Sequence, residues 1–407
     1  MTYARHARGS TPYRRILIAL FFAGVATFAQ LYSPQGVLPA IAEDVGVSPA
    51  TASLTISVAT AGVALSVLPW AFVAERIGRA RAMSIAVAAA AALGVLVPFS
   101  PSFEILLVGR FFEGVALGAI PAIAMAYLSD EIVADHSPRA AGVYVAGTTI
   151  GGLLGRVVAG PVADLTTWRV GVLLVAALCA AAAVAFIVLI PPARRDPRSE
   201  RSPTALSAFS MRLLSALRHP SLLALYAHPF LLMGAFVALY NYIGFRLEAP
   251  PFALSAGLAS LLYFAYLAGT WSSAQAGGWT ARFGRIPTLL VCLATMAGGI
   301  LLTIAPAVPV IVAGIAFATA GFFAAHAIVA AWVPSQAPDA AGEASAIYSL
   351  SYYLGSSVLG WAAGLVFTAA GWSATAATLV AFVGAAAIIA VLSLRMSDSA
   401  GGRPSHR

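Results

Sequence analysis

Six stretches of this chain contain no aspartate, glutamate, lysine or arginine, and they dictate the kind of fold available to it: Ile16–Ala42, Val45–Ala74, His219–Phe245, Ala249–Ala281, Ile286–Pro338 and Ala344–Leu394. A helix needs about 20 apolar residues to cross a hydrocarbon core ~30 Å thick. The last two stretches each run past fifty residues, so each must hold two crossings. A soluble fold cannot use such sequence, because its surface needs charged side chains at roughly a quarter of positions or more. Here only 9% of residues are charged and 60% are hydrophobic. The expected class is an all-α polytopic membrane protein.

Twelve spans are expected, near 16–40, 50–74, 82–100, 104–128, 140–163 and 169–191, then 220–245, 254–280, 287–305, 309–333, 344–368 and 373–394. Arginine placement orients them, since positive residues collect on the cytoplasmic side. With the N-terminus inside, the cytoplasmic segments hold Arg5, Arg8, Arg14, Arg15, Arg76, Arg79, Arg81, Arg139, Arg194, Arg195, Arg198, Arg201, Arg212, Arg218, Arg282, Arg285, Arg395, Arg403 and Arg407. The outside keeps Arg169 and Arg246. Both termini are therefore expected in the cytoplasm. The first apolar run, about 27 residues, is longer than the core of a cleaved signal peptide and reads as a retained span.

The formal charge of +8 does not indicate a nucleic-acid partner. All 23 basic residues are arginines, and most sit at span ends, where they report topology. The absence of lysine removes a P-loop lysine and a lysine Schiff base. Cys179 and Cys292 lie inside apolar runs with no metal or redox spacing and read as small buried residues. No cofactor is expected.

The chain repeats itself. Phe72–Arg79 reads FVAERIGR and Gly278–Arg285 reads GWTARFGR, so Arg76, Gly78 and Arg79 map onto Arg282, Gly284 and Arg285, 206 positions later. Tyr144, Gly151, Gly160 and Trp168 recur 204 positions later as Tyr348, Gly355, Gly364 and Trp372. Two six-span halves in parallel repeat follow, as in transporters built from internal duplication. The expected division is residues 1–192, a cytoplasmic linker 193–218, and residues 219–407. In the linker, Leu206, Phe209, Leu213 and Leu217 recur at helical spacing, consistent with an amphipathic helix on the membrane surface or with a plain linker.

These motifs resemble the major facilitator superfamily over nearly the whole chain. Ala71–Arg81 is similar to its signature G-x-x-x-D-R-x-G-R-[KR]-x between spans two and three, with Glu75, Arg76, Gly78 and Arg79 in place and departures at Ala71 and Ala80. The resemblance implies a cytoplasmic latch between helices, with Arg282, Gly284 and Arg285 as its second copy; Arg76 and Arg79 are expected to pair with Asp130 or Glu131, at the inner end of span four, in the outward-open state. Leu106-x-x-x-Arg110-x-x-Glu113-Gly114 resembles the L-x-x-x-R-x-x-Q-G motif of proton-coupled drug antiporters, with glutamate replacing glutamine. Span five, with Gly147, Gly151, Gly152, Gly155, Gly160 and Pro161, resembles the antiporter motif of exporters. The run from Gly142-x-Tyr144 to Trp168-Arg169 is similar to the YnfM-type, arabinose-efflux-like subgroup of drug:proton antiporters.

The residues argue in the same direction by themselves. A charge at the bilayer centre costs at least ~2.5–3.5 kcal/mol on insertion scales. Arg110 and Glu113 lie about 9 and 14 Å below the outer end of span four at 1.5 Å per residue, and their spacing puts them on one helix face. Arg156 lies about 12 Å below Asp164 on span five, at similar depth. Two readings stand: an ion pair holding spans four and five together, or a proton-coupling and substrate site with Glu113 as exchangeable group and Arg110 as its modulator. Burial and a neighbouring arginine act on a carboxylate in opposite directions, so its proton affinity can differ between conformations. Substrate-cavity candidates are Gln30, Gln35, Tyr144, Arg156, Tyr240, Asn241, Tyr263, His326, Tyr348 and Tyr352, each of which could equally be a hydrogen-bonded packing residue. Gly151, Gly155, Gly160 and Pro161 read as helix-packing residues that let backbones approach closely.

The expected function is secondary active transport in the bacterial inner (plasma) membrane: proton-coupled efflux of a small organic solute or drug by alternating access, with proton-coupled uptake as the alternative. The proton is the expected coupling ion, the partners are a small-molecule substrate and the lipid bilayer, and a monomer is expected. An embedded enzyme would need a nucleophile with a base or a metal cluster; the chain has no H-E-x-x-H, no G-x-S-x-G and no histidine pair at ligand spacing. A receptor or scaffold would need a soluble domain larger than any loop here.

Overall fold

The computed structural model describes residues 5–191, 204–218 and 220–401, with side chains omitted for 204–210 and 393–401. Arg194, Arg195, Arg198, Arg201, Arg403 and Arg407, and the side chains of Leu206, Phe209 and Arg395, lie outside the described residues. The described chain is helical, with one isolated extended bridge between His6 and Ile132. This is what a hydrocarbon environment requires: with no water available, each backbone polar group must be paired within its own segment.

Among the described residues, ten helices are long and apolar enough to cross a membrane: Thr11–Val45, Pro49–Ile77, Arg79–Phe99, Phe103–Glu131, Ala134–Leu165, Trp168–Leu189, Pro220–Glu248, Arg285–Leu302, Val308–Gln336 and Pro338–Leu392. The last is 55 residues long and contains Gly371 at φ 71°, ψ −168°, so two spans meet there. Span eight, 256–283, is assembled from Ala256–Ser260, a 3-10 segment Leu261–Ala265 and Tyr266–Phe283. The twelve expected spans are thus accounted for, and the fold is an all-α polytopic bundle. Side chains such as Phe112, Val184 and Val188, more than half exposed, point outward from their helices and fit a lipid-facing surface.

Helix starts are set by small hydroxyls at the N-cap. Ser10, Ser48, Ser102, Thr167 and Ser255 each accept a backbone N–H three residues on, the bond that an orphan N–H of the first turn lacks. Gly78 (φ 92°, ψ 139°) and Gly284 (φ 85°, ψ 157°) make the turns into spans three and nine. Those angles are closed to side chains with a Cβ, so the repeat seen in the sequence is also a repeat of backbone geometry.

The chain forms two compact units, Met1–Arg201 with Gly244–Tyr263, and Ser202–Ile243 with Phe264–Arg407. Gly244–Tyr263, from the expected second half, groups with the first unit. Gly244–Tyr263 packs with the first unit because Gly257 N–H donates to Asp164 Oδ2 (2.8 Å) and Gly160 leaves room for Ala256 O and Ser260. In the first unit, one apolar cluster takes Ile16, Leu20, Ile120, Ile123 and Phe186, and a second takes Val37, Ile41, Leu106, Val172 and Cys179. Along span four, Arg110 and Glu113 lie between the two. In the second unit, Arg212 on the helix Thr204–Arg218 donates to Glu343 Oε1 (2.6 Å).

Spans one and five lie in direct backbone contact. A Cβ on Gly151 would stand 2.5 Å from Val25 O, and Gly147 and Gly155 abut Phe21 O and Ala29 O in the same way. The equivalent glycine in the second unit, Gly355, abuts Phe230 O. Pro161, six residues beyond Gly155, lies within the span-five helix. Gly151→Ala should therefore lower the melting temperature of the purified protein, overpacking costing ~1–3 kcal/mol. Gly142→Ala in the same helix, with nothing within 4 Å of the added methyl, should be neutral or stabilising. Thermal unfolding of the two variants in detergent checks the contrast.

Candidate functional site

The site begins with a proline. Span one runs as an α-helix from Thr11 to Tyr32, tightens to 3-10 over Ser33–Val37 and resumes at Leu38. In an α-helix the N–H of residue i serves the carbonyl of i−4; Pro34 has no N–H, so Gln30 O loses its helical donor. The 3-10 pairing that follows also draws donors away from the last carbonyls of the helix. The break leaves acceptors facing inward, at the negative end of a helix dipole.

Arg110 fills that need. Its Nη1 donates to Gln30 O (3.3 Å), its Nη2 to Leu31 O (2.5 Å) and its Nε to Thr55 O in span two (3.0 Å). Nη1 also donates to Glu113 Oε2 (2.7 Å), and the pair is 1% and 0% exposed. Glu113 Oε1 accepts from Gln30 Nε2 (2.5 Å). Gly94 in span three makes room for that amide, since a methyl there would overlap Gln30 Nε2. Gly114 brings the backbones of spans two and four together at Ala59.

Arg156 approaches the same break from span five. Its Nε donates to Gln35 Oε1 (2.6 Å) and its Nη1 to Gly152 O. The guanidinium lies 4.4 Å from the Tyr32 ring centroid and 5.2 Å from that of Tyr263, whose hydroxyl donates to Gln35 O (3.1 Å). Gly36 allows the Arg156 backbone to within van der Waals contact of span one. Gln30, Gln35, Arg110, Glu113, Arg156 and Tyr263 thus form one buried polar layer around the interruption of span one. The ion pair lies within span four and ties it to spans one and two. It is not the bridge between spans four and five that the sequence left open. Tyr144 is buried in span five next to the apolar cluster of Ile16 and Leu20.

The other candidates gather in the second unit. Tyr240 OH bonds Thr319 Oγ1 (2.7 Å), and Tyr348 OH bonds His326 Nδ1 (2.6 Å). The His326 ring stacks on Phe322 and lies 5.0 Å from Tyr352. Phe322 stacks on Phe236 at 4.0 Å. Asn241 is buried beside Gly360. This layer is aromatic where that of the first unit is charged.

At the far end of span four, Arg79 donates to Asp130 Oδ2 and to Ala126 O (2.7 Å). The expected pairing of Arg76 is not found. Its guanidinium lies 4.1 Å over Phe72, one turn back on its own helix, and Glu75 is exposed. Glu131 faces His6 at 3.8 Å instead. In the second copy no acid among the described residues pairs with Arg285, whose guanidinium lies 5.7 Å from the Trp332 ring, 206 positions on from Ala126; Arg282 lies over Phe283. Two contacts escaped the sequence reading. Asp44 accepts from Trp168 Nε1 (2.9 Å) and from Arg169, joining spans one and six. The backbone acceptors of Arg110 were announced only by Ser33-Pro34-Gln35-Gly36 inside an uncharged run.

A broken first helix and an arginine–glutamate pair buried among long apolar helices fit a polytopic membrane protein with a polar site inside its spans. The family model of the Major Facilitator Superfamily matches residues 20–272. The inner membrane transport protein YnfM of Escherichia coli is 37% identical over 386 residues, covering 95% of this chain and 91% of its own. The MFS-type transporter YybF of Bacillus subtilis is 36% identical over 373 residues, 91% of each chain. The crystal structure of a bacterial homologue of the human lysosomal transporter Spinster matches with a TM-score of 0.76 at 16% identity, over 95% of this chain and 98% of that one, and shares the fold. The chain belongs to the major facilitator superfamily and is a multi-pass membrane protein of transmembrane transport.

Removing one partner of a buried ion pair costs about 3–5 kcal/mol, because the other is left charged and unpaired. Arg110→Met should therefore sharply reduce the yield of folded protein. Arg110→Met with Glu113→Leu should recover part of that yield while remaining inactive. Fluorescence-detected size-exclusion profiles of the single and double variants measure both outcomes.

Proposed function

We propose that the protein is a proton-coupled secondary transporter that exports a small organic solute by alternating access, with Glu113 as the exchangeable carboxylate and Arg110 as its fixed modulator. One observation motivates this: a carboxylate buried in a membrane span is bonded to the helix whose continuity is broken beside it. Rocking that helix changes the donors around Glu113, and a group whose proton affinity differs between two conformations couples proton movement to the transition. The arginine count supports an orientation with both termini in the cytoplasm, in which Arg79–Asp130 lies at the cytoplasmic end of span four. The resemblance of spans four and five to antiporter motifs supports export over uptake. The buried polar layer of the first unit is the surface proposed to meet substrate.

Glu113→Gln should abolish accumulation driven by a pH difference in proteoliposomes while substrate-for-substrate exchange persists, measured over a panel of organic cations, anions and neutral drugs. Accumulation by the variant under a pure pH gradient would move the coupling site elsewhere. Orientation is checked separately. Reporter fusions at Arg218 and Asp339 should report cytoplasm and a fusion at Pro250 the outside; the reverse pattern would invert the topology.

A further inference from the structure

We infer that Gln30 is the positioning residue that reads the protonation state of Glu113 and transmits it to the break in span one; this rests on the reading of Glu113 as the coupling carboxylate. The geometry poses a specific problem. Both carboxylate oxygens face donors, Oε1 the amide N–H of Gln30 (2.5 Å) and Oε2 the guanidinium of Arg110 (2.7 Å). A proton placed on either oxygen points at another N–H, and a carboxylic acid needs an acceptor for its O–H. Arg110 cannot become one: it stays protonated, and its remaining donors are tied to the carbonyls of Thr55, Gln30 and Leu31.

Gln30 can. A half-turn about its terminal torsion, which is broad and roughly two-fold, exchanges Nε2 for Oε1 and presents an acceptor to the new O–H. The Gln30 side chain is 2% exposed, and among the described residues its Oε1 accepts no hydrogen bond, so the turn breaks no bond at that end and gives Oε1 a partner. The absent side chain of Gly94 provides the room. Of the groups facing Glu113, Arg110 is on its own helix, Gln30 on span one, and the buried, uncharged thiol of Cys179 is near it on span six. Gln30 is also one turn ahead of the break, and its carbonyl holds both Arg110 Nη1 and Ser33 Oγ (3.1 Å). Turning its amide therefore changes the hold of span four on the point where span one bends.

The proton itself is the probe. Infrared pH-difference spectra of the full-length protein in lipid should show a carboxylic-acid band that is lost in Glu113→Gln. A side-chain amide band should titrate with the same midpoint and disappear in Gln30→Met. Gln30→Met, and Gly94→Ala, which displaces the amide without removing it, should each shift the carboxylic-acid midpoint by about one pH unit or more, tenfold in proton affinity. If Gln30→Met does not fold, Gly94→Ala and the wild-type amide band carry the test. A carboxylic-acid band that titrates normally with no amide band beside it, or with a midpoint unmoved in both variants, overturns the role of Gln30 and leaves Glu113 as coupling group. If no band is lost in Glu113→Gln, Glu113 does not titrate, and the coupling reading falls with it.

Discussion

The break in span one is the constraint from which the membrane layer of the first unit follows. Hydrocarbon offers no hydrogen bonds, so carbonyls freed by Pro34 and the 3-10 turn must find donors inside the protein; a buried group left unsatisfied costs about 1–3 kcal/mol. Arg110 supplies those donors, but it brings a charge that needs an opposite one, and Glu113 provides it (2.7 Å). Glu113 in turn needs a second donor, which is Gln30, and Gln30 fits because residue 94 has no side chain. Each residue answers a need created by the one before, so the set stands or falls together. The polar layer is therefore neither purely structural nor purely functional. The bonds that make a broken helix tolerable in lipid are the ones a change of charge on Glu113 would rearrange.

The two halves share a scaffold and differ in chemistry. Gly78 and Gly284 hold the same turn, and Gly151 and Gly355 press on span one and span seven alike. Of the three span-five glycines that abut span one, Gly151 alone recurs as a glycine; Gly147 and Gly155 fall on Ser351 and Leu359 at the 204-residue offset. The ionisable positions were free to diverge. At the 206-residue offset, Glu113 falls on Thr319 and Arg110 on Ala316, and Thr319 bonds the neutral Tyr240. Asp130 falls on Gln336, and Arg285 accordingly rests on a tryptophan ring rather than a carboxylate. Charge chemistry is concentrated in the first unit, while His326, Tyr348 and Tyr352 give the second an aromatic layer.

How legible this was in the sequence depends on which atoms do the bonding. The spans were plain, because a run without charged residues has few uses outside a membrane. The Gly78/Gly284 turn was plain too, because a glycine between two arginines repeated at fixed offset has few explanations. The association of Arg110 with Glu113 followed from their three-residue spacing. Its partners did not, since Thr55, Gln30 and Leu31 contribute main-chain carbonyls that any residue possesses; only Pro34 hinted at them. Arg76 was misjudged for a related reason. Motif position gave it the same partner as Arg79, but the first is on the outgoing side of the Gly78 turn, beside Phe72, and only the second projects towards span four. The grouping of Gly244–Tyr263 with the first unit was not legible, because it runs through Asp164 and Gln35, contacts that sequence order conceals.

The identity of the cation decides how the site can work. A lysine has three donors on one nitrogen and an ammonium that deprotonates readily when buried, whereas a guanidinium presents five donors in a rigid fork and stays charged. Arg110 uses three nitrogens to hold three carbonyls and one carboxylate. A lysine at 110 could not reach the same set, and its charge would be negotiable. Two groups able to change charge side by side would titrate as a pair, and a proton entering the site could be shared without any change in what span one experiences. With arginine the positive charge is permanent and its geometry pinned by the break. Within this ion pair any proton taken up must therefore appear on Glu113, where both of its oxygens already meet donors and the surrounding bonds have to change.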